Sequence, residues 1–275
     1  MSNIDYKTVE GFGQEWATFD QSEMSSAEHQ RLFDIYFSEF PFDDLPDNAE
    51  GFDLGCGSGR WAVLAAPKVG HLHCIDPAAA ALEVARKRLA GQDNASFHVA
   101  GSHEIPLEDG SQDFGYSLGV LHHIPDTESA MADCTRKLKP GAPFLVYIYY
   151  RFDNRPAWYR GVWWVSDRIR WMICRLPFQL KRAVTTVLAG LIYWPLARAA
   201  KLAEKLRLPA ANMPLHSYRN RSFYTMRTDS LDRFGTRLEN RFTRAEITQM
   251  MQRCGLTDIS FRDDMPFWTA CGRKR

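Results

Sequence analysis

Between Gly51 and Trp61 the chain reads GFDLGCGSGRW, and no other stretch restricts the fold so strongly. Phe52, Asp53 and Leu54 suit the end of a buried strand. Gly55, Gly57 and Gly59 then alternate with the small residues Cys56 and Ser58, and Arg60 opens an Ala-rich helical run to Ala66. A strand, a Gly turn and a helix start bring backbone N–H groups close to a ligand, and the helix N-terminus favours an anion there.

Beyond the loop the strand–helix alternation repeats. A second strand is expected over His71–Ile75, ending in Asp76-Pro77, with a helix over Ala78–Ala90 behind it. An acidic residue at that strand tip can accept bonds from both hydroxyls of a ribose. Its distance from the Gly loop, about 17 residues, fits a βαβ unit. Capping of the following helix is the competing role for Asp76. A third strand is expected over Ser96–Ala100, a fourth over Asp113–Leu118, and a helix capped by Asp126 running to Leu138. Lys139-Pro140-Gly141 is a turn before the apolar strand Ala142–Tyr150. Near the C-terminus, Thr243 and Glu246 form a capping box, and two short strands are expected over Leu256–Arg262 and Pro266–Cys271.

The Asp-x-Gly-x-Gly-x-Gly run at 53–59, the run SLGVLHHIPD at 117–126 and the LKPG turn before an apolar strand resemble the class I S-adenosylmethionine-dependent methyltransferases. The resemblance covers about 50–150 and 242–275. It implies an α/β, Rossmann-like sheet of seven mostly parallel strands, the last antiparallel between the fifth and sixth, with helices on both faces. It also implies S-adenosylmethionine as cofactor and no metal. Gly55, Cys56, Gly57 and Gly59 would approach the methionine portion, Asp53 would orient its amino group, and Asp76-Pro77 would hold the ribose. Ser117, Leu118 and Gly119 would line the methionine part. The turn after the third strand commonly reads Gly-Asp-Ala-Glu in the family. Here it is Gly101-Ser102-His103-Glu104, so a hydrogen bond accepted by Ser102 and stacking by His103 take the place of a charged contact to the adenine. His122 or His123 would face the reaction chamber, His122 as a base and His123 on the acceptor, with helix-start packing as the alternative. Family members often carry an N-terminal cap, and Trp16 is the residue placed against the ligand.

The segment before the first strand supports such a cap. Gly11–Phe19 is aromatic-rich. Ser25 and Glu28 form a capping box ahead of Leu32, Phe33, Tyr36, Phe37 and Phe40 on one helical face. Packing on the core and closing over a cofactor are the two roles open to it. The expected organisation is a lid over 1–50, a cofactor-binding core over 51–150, an insertion over 151–240 and a completing unit over 241–275.

The insertion is a helical cap. Trp158, Val162, Val165, Ile169, Met172 and Leu176 recur at helical spacing, which predicts one amphipathic helix ended by Pro177. A second helical region over Lys181–Arg207 is expected to break near Pro195. Its uncharged segment Ala183–Ala197 is too short to span a bilayer. Residues 151–222 hold fourteen Lys/Arg against three acids. Solvated basic faces, recognition of an acidic substrate and rest on an anionic membrane all fit, with peripheral membrane contact not the favoured one. Leu215–Asn240 reads as an ordered loop. It supplies Tyr218, Tyr224, Arg227, Asp229 and Arg233 as substrate contacts, with Tyr224 a second candidate base; a salt-bridged linker is the alternative.

Composition narrows the classes. The formal charge of the 275-residue chain is +1, so global charge gives no sign of a nucleic-acid partner. Six scattered cysteines without a Cys-x-x-Cys pair suit neither zinc nor a disulfide scaffold and fit a cytoplasmic protein. No basic-then-apolar leader opens the sequence, and no apolar run reaches a membrane span. The leading expectation is direct methyl transfer to an O-, N- or S-nucleophile of an anionic or amphipathic small molecule. A methyltransferase-fold binding subunit is the alternative. A nicotinamide-dependent Rossmann enzyme is the third reading, disfavoured because the glycines alternate as G-x-G-x-G. Oligomeric state is left open.

Overall fold

The computed structural model describes residues 3–19, 21, 23–210, 212–265 and 267–275. They form two compact units. The first comprises Met1–Gln21, His29–Arg151 and Leu238–Arg275; the second comprises Ser22–Glu28 and Phe152–Arg237.

The first unit is built on one seven-stranded sheet. In chain order the elements are α1 (Tyr6–Thr18), α2 (Ser26–Tyr36), β1 (Glu50–Leu54), α3 (Ala62–Ala65), β2 (His71–Asp76), α4 (Ala79–Arg88), β3 (Ala95–Val99), β4 (Phe114–Leu118), α5 (Thr127–Lys137) and β5 (Pro143–Tyr147). The strand order is β3-β2-β1-β4-β5-β7-β6, where β6 is Leu256–Phe261 and β7 is Thr269–Lys274. β1 to β5 run parallel, and β7 lies antiparallel between β5 and β6. This is the expected Rossmann-like arrangement. The chain order reverses at β1, between β2 and β4, so a crevice opens at the carboxyl ends of these strands.

The central strands β1, β4 and β5 are buried almost throughout, whereas β2, β3 and β6 alternate or lie half-exposed towards the edges. Phe52, Leu72, Phe114, Tyr116 and Phe144 are wholly buried, each contributing on the order of 1.5–3 kcal/mol. Most boundaries move by a residue or two from expectation, but β5 ends at Tyr147, not Tyr150, and the last strand runs Thr269–Lys274, not 266–271; Pro266, its expected first residue, lies outside the described residues. Asp126 caps α5 through Ser129 N, as its position predicts. The helix after the Gly loop is shorter than the Ala-rich run suggested. Pro67 ends α3 in a 3₁₀ turn over Ala66–Lys68. Leu32 and Phe33 on α2, and Phe37 and Phe40 in the turn that follows it, are buried, with Phe37 edge-on to Tyr116, so this face packs on the core.

The second unit departs further from expectation. Its elements are α6 (Ala157–Ile173), α7 (Phe178–Leu188), α8 (Trp194–Lys205) and α9 (Phe223–Gly235); α10 (Arg244–Arg253) then returns to the first unit with the predicted Thr243–Glu246 capping box. There is no break at Pro195. A π turn over Ala189–Tyr193 joins α7 to α8 in one helix, Phe178–Lys205, of 28 residues. Proline lacks an N–H and clashes with the carbonyl four residues back, and the wider turn just before it absorbs both defects. An 18-residue window of this helix has mean hydropathy 1.3, so by length and composition it is long and apolar enough to cross a bilayer. The expected loop over 215–240 contains α9. Its buried face is Tyr224, Thr225, Met226, Thr228, Ser230, Leu231 and Phe234, too rich in hydroxyls to register as apolar periodicity. Ser222 caps α9. Glu28 holds the same end, accepting from Ser222 N at 3.0 Å and Thr225 Oγ1 at 2.9 Å. The expected Ser25–Glu28 box therefore forms only in half, Ser25 Oγ accepting from Glu28 N. Ile173, Tyr193, Ala197, Met226 and Phe234 make the unit's own core.

Candidate active site

At the carboxyl end of β1 the chain turns through Gly55, Gly57 and Gly59, all in the left-handed region at φ +75°, +53° and +72°. Close packing adds to this. A Cβ on Gly55 would overlap the Val120 side chain, one on Gly59 would come within 2.8 Å of Leu89 Cδ1, and one on Gly57 would crowd the Trp16 indole nitrogen at 3.0 Å. The turn is pinned to β2, since Ile75 O accepts from Gly55 N at 2.7 Å and from Cys56 N at 3.2 Å.

Asp76, at the tip of β2, organises the loop. Its Oδ2 accepts from Gly57 N at 2.9 Å and its Oδ1 from Ala78 N at 2.8 Å. The ribose-holding and helix-capping roles thus coexist: each oxygen is fixed by one backbone N–H and keeps a second lone pair. Burial pushes the carboxyl up to about 6, the Ala78 and Gly57 hydrogen bonds offsetting part of that. Pro77, half-buried, follows it. Asp53 is buried deeper and its Oδ2 has no hydrogen-bond partner among the described residues. Burial pushes its carboxyl well up; the Tyr116 hydroxyl acts against this and the Asp76 charge adds to it. Cys56 is buried with its thiol pushed well up by burial, so it serves as packing.

Neighbouring elements present further polar atoms to the same edge. Ser102, in the turn after β3, is buried with an unpartnered hydroxyl. His103 beside it has an unpartnered Nδ1, while its Nε2 lies 3.3 Å from Glu104. Buried polar atoms are normally satisfied, so orphans grouped on one sheet edge mark a place for a polar ligand. Trp16, half-buried on α1, lies over Gly57, and Gly13 of the same helix reaches Ala78. The N-terminal helix therefore covers the Gly loop, where the cap was expected. Leu118 is nearly buried, and Gly119 at φ +81° has open space around it.

Residues 52–146 match a family model described as "Methyltransferase domain". This part of the chain is therefore similar to methyltransferase domains. Among curated proteins it is 31% identical over 111 residues to phosphoethanolamine N-methyltransferase 2 of Caenorhabditis elegans, covering 39% of this chain and 25% of that one. It is 31% identical over 96 residues to the demethylmenaquinone methyltransferase of Staphylococcus aureus, covering 34% and 39%. The match thus spans a quarter to about two-fifths of those relatives' length. A solved SAM-dependent methyltransferase from Methanosarcina mazei superposes with TM-score 0.51 at 16% identity, covering 84% of this chain and 95% of that one, which shows the shared fold.

Within residues 52–146 two residues are placed otherwise than expected. Ser117 lies at the right edge, but its hydroxyl donates to Leu54 O at 2.9 Å and is wholly buried, so it ties β4 to β1. His122 has no solvent-exposed surface that would place it on a reaction chamber. Its ring is wholly buried, stacked on Tyr149 at 3.9 Å, with both nitrogens unpartnered. Burial, then the His123 and Arg241 charges, hold its pKa well below the ordinary value, so it is a neutral imidazole. His123 is also buried, its Nδ1 donating to Leu238 O at 2.7 Å and its ring 5.0 Å from Phe12. The motif signals that found these histidines carry no information on which way a 3₁₀ turn points them.

The five substrate candidates of the second unit are held by neighbours within it. Arg221 pairs with Asp229 at 3.0 Å and lies over Tyr218, which is edge-on to Tyr193. Arg227 pairs with Glu23 at 3.2 Å and lies over Tyr224, and Arg233 donates to Ser166 Oγ at 3.3 Å. Tyr224 itself is nearly buried on α9. The salt-bridged alternative describes these residues better than open substrate contacts do. The role of Glu28 at the start of α9 was not foreseen, because Ser222 and Thr225 come close to it only in the folded unit. Among the described residues no group of three or more metal-ligating side chains gathers.

Proposed function

We propose that this chain transfers a methyl group from S-adenosylmethionine to a small-molecule acceptor. The observation that carries the reading is Asp76: a buried carboxylate with each oxygen already oriented by one backbone N–H, at the rim of a Gly loop that Trp16 covers. Two ribose hydroxyls would complete it. The orphaned Ser102 hydroxyl and His103 Nδ1 are of the right type for an adenine edge, and Asp53 Oδ2 for an ammonium. Those residues fit the group.

Bound there, the donor supplies a sulfonium-activated methyl. The chain's part is to hold, orient and exclude water. In-line placement at near contact distance supplies much of the acceleration. With His122 wholly buried and only weakly basic, proton removal does not pass through it, which favours an acceptor that needs no base before it attacks, such as an amine in its free-base form. The relatives named above for phosphoethanolamine and demethylmenaquinone support a small acceptor. Calorimetry with S-adenosylmethionine and NADH, followed by incubation of a metabolite extract with methyl-labelled donor, tests the reading. Binding of the first and release of S-adenosylhomocysteine are expected. Binding of NADH alone would reject it, and binding without turnover would leave a ligand-holding subunit.

A further inference from the structure

The amphipathic stripe of α6 points the wrong way for a core helix. Trp158, Val162, Val165, Ile169 and Met172 lie at successive i+4 and i+3 steps, and all are 37–57% exposed. The side turned inward carries Tyr159, Trp163, Ser166, Arg170 and Ile173; Arg170 there pairs with Asp167 and donates to the Thr236 and Arg237 carbonyls. The 28-residue helix does the same. Leu180, Val187, Leu191, Pro195, Leu202 and Leu206 follow one line along it and are exposed, Leu191 at 73%. Its opposite face, Thr185, Ala189, Tyr193, Ala197 and Ala200, is buried. Isolated exposed apolar residues are ordinary, but two helix-long stripes in one small unit are not.

Charge says what covers them. The second unit holds sixteen Lys/Arg against seven Asp/Glu, a formal +9; the first holds eighteen against twenty-six, a formal −8. A chain that is neutral as a whole is therefore strongly basic where its apolar stripes are. Arg168, Arg175 and Arg198 lie over the exposed rings of Trp164, Trp171 and Trp194, at 5.1, 3.7 and 3.9 Å. Arg160, Arg182, Lys205 and Arg207 make no ion pair among the described residues. Apolar stripes, tryptophans with their cations, and unpaired Lys/Arg are the makings of an interfacial helix on an anionic bilayer. A repeat of the same chain would instead oppose +9 to +9.

We infer that the second unit docks on an anionic membrane surface, with α6 and the α7–α8 helix lying in the plane of the interface. The long helix does not cross. The uncharged run between Arg182 and Arg198 covers roughly 22 Å at 1.5 Å per residue, short of the ~30 Å hydrocarbon core. One face is also occupied by the unit's own core.

The full chain should float with vesicles of phosphatidylcholine and phosphatidylglycerol at physiological salt. It should stay unbound with phosphatidylcholine alone, and tryptophan emission should shift to the blue on binding. Val187→Glu with Leu191→Glu, and separately Val162→Glu with Val165→Glu, should each cut the bound fraction at least tenfold. All four side chains are already in water, so the thermal transition should not move; if one pair does unfold, the other decides. Quenching of wild-type tryptophan by brominated anionic lipid reads the same contact without any variant. No binding to anionic vesicles, or binding unaffected by both pairs, overturns the inference. So does a dimer in lipid-free solution that both pairs dissolve while vesicles are ignored, since the stripes would then be covered by a second copy.

Discussion

The two units use the same kinds of residue in opposite ways. In the first, aromatic and aliphatic side chains go inward on both faces of the sheet, and the groups left unsatisfied are polar: Asp53 Oδ2, the Ser102 hydroxyl and His103 Nδ1. In the second, polar groups turned inward are paired with one another, as in Arg221–Asp229 and Arg170–Asp167, and what is left over at the surface of the described residues is apolar side chains among unpaired cations. What a unit leaves unsatisfied indicates what it binds. Orphaned polar atoms beside a Gly loop call for a polar small molecule; exposed tryptophan and leucine among cations call for a lipid surface.

Five measurements put this contrast at risk. The largest effect is expected for Asp76→Ala, which removes two charge-assisted hydrogen bonds to ligand at about 1.5–3 kcal/mol each. Calorimetry should show S-adenosylmethionine affinity falling on the order of 10²-fold or more, and affinity within threefold of wild type would end the ribose assignment. Phe144→Ala, in the wholly buried centre of the sheet, should lower stability by about 3–5 kcal/mol in urea titration. Next is pH. Ribose hydroxyls donate to the Asp76 carboxylate, so donor affinity should hold above about pH 6 and weaken roughly tenfold per unit below it. Stability of the ligand-free chain has the opposite sign. Between about 4 and about 6 the folded form keeps a proton the unfolded form has lost, so this group's contribution is present at low pH and lost as pH rises. An affinity flat down to pH 4.5 would show that the ionised form is not what binds. Ser222→Ala, removing the α9 cap, should cost about 1 kcal/mol in the transition of the second unit. Smallest of all, Leu191→Ala should change stability by less than about 0.5 kcal/mol. A loss near that of Phe144→Ala would mean that the stripe is packed, and the contrast would fail.

Much of the first unit was legible before folding. The Gly loop, Asp76 and the existence of two short closing strands follow from glycine spacing, an acidic strand tip and short apolar runs, all of which are local; that the last strand would be antiparallel came from the resemblance. Trp16 was placed by resemblance, and α1 does bring it over Gly57. The direction of a side chain inside an otherwise recognisable motif was not legible. Ser117 and His122 sit where expected in the chain, yet one is bonded to Leu54 O and the other sealed against Tyr149. In the second unit α9 was hidden because hydroxyl residues built its buried face, and Glu28 caps it from nearly two hundred residues away.

The sequence alone determined the local geometry: which residues can take a positive φ, where helices begin, and that 158–172 has one apolar stripe. Tertiary structure alone decided which side of each helix would meet protein and which water. Periodicity specifies that a helix has two faces; only the neighbours it packs against choose between them. Here α6 packs through Ser166 and Arg170 and leaves Trp158, Val162 and Val165 outside, because its charged face finds ion pairs and backbone carbonyls inside the unit that its apolar face does not need.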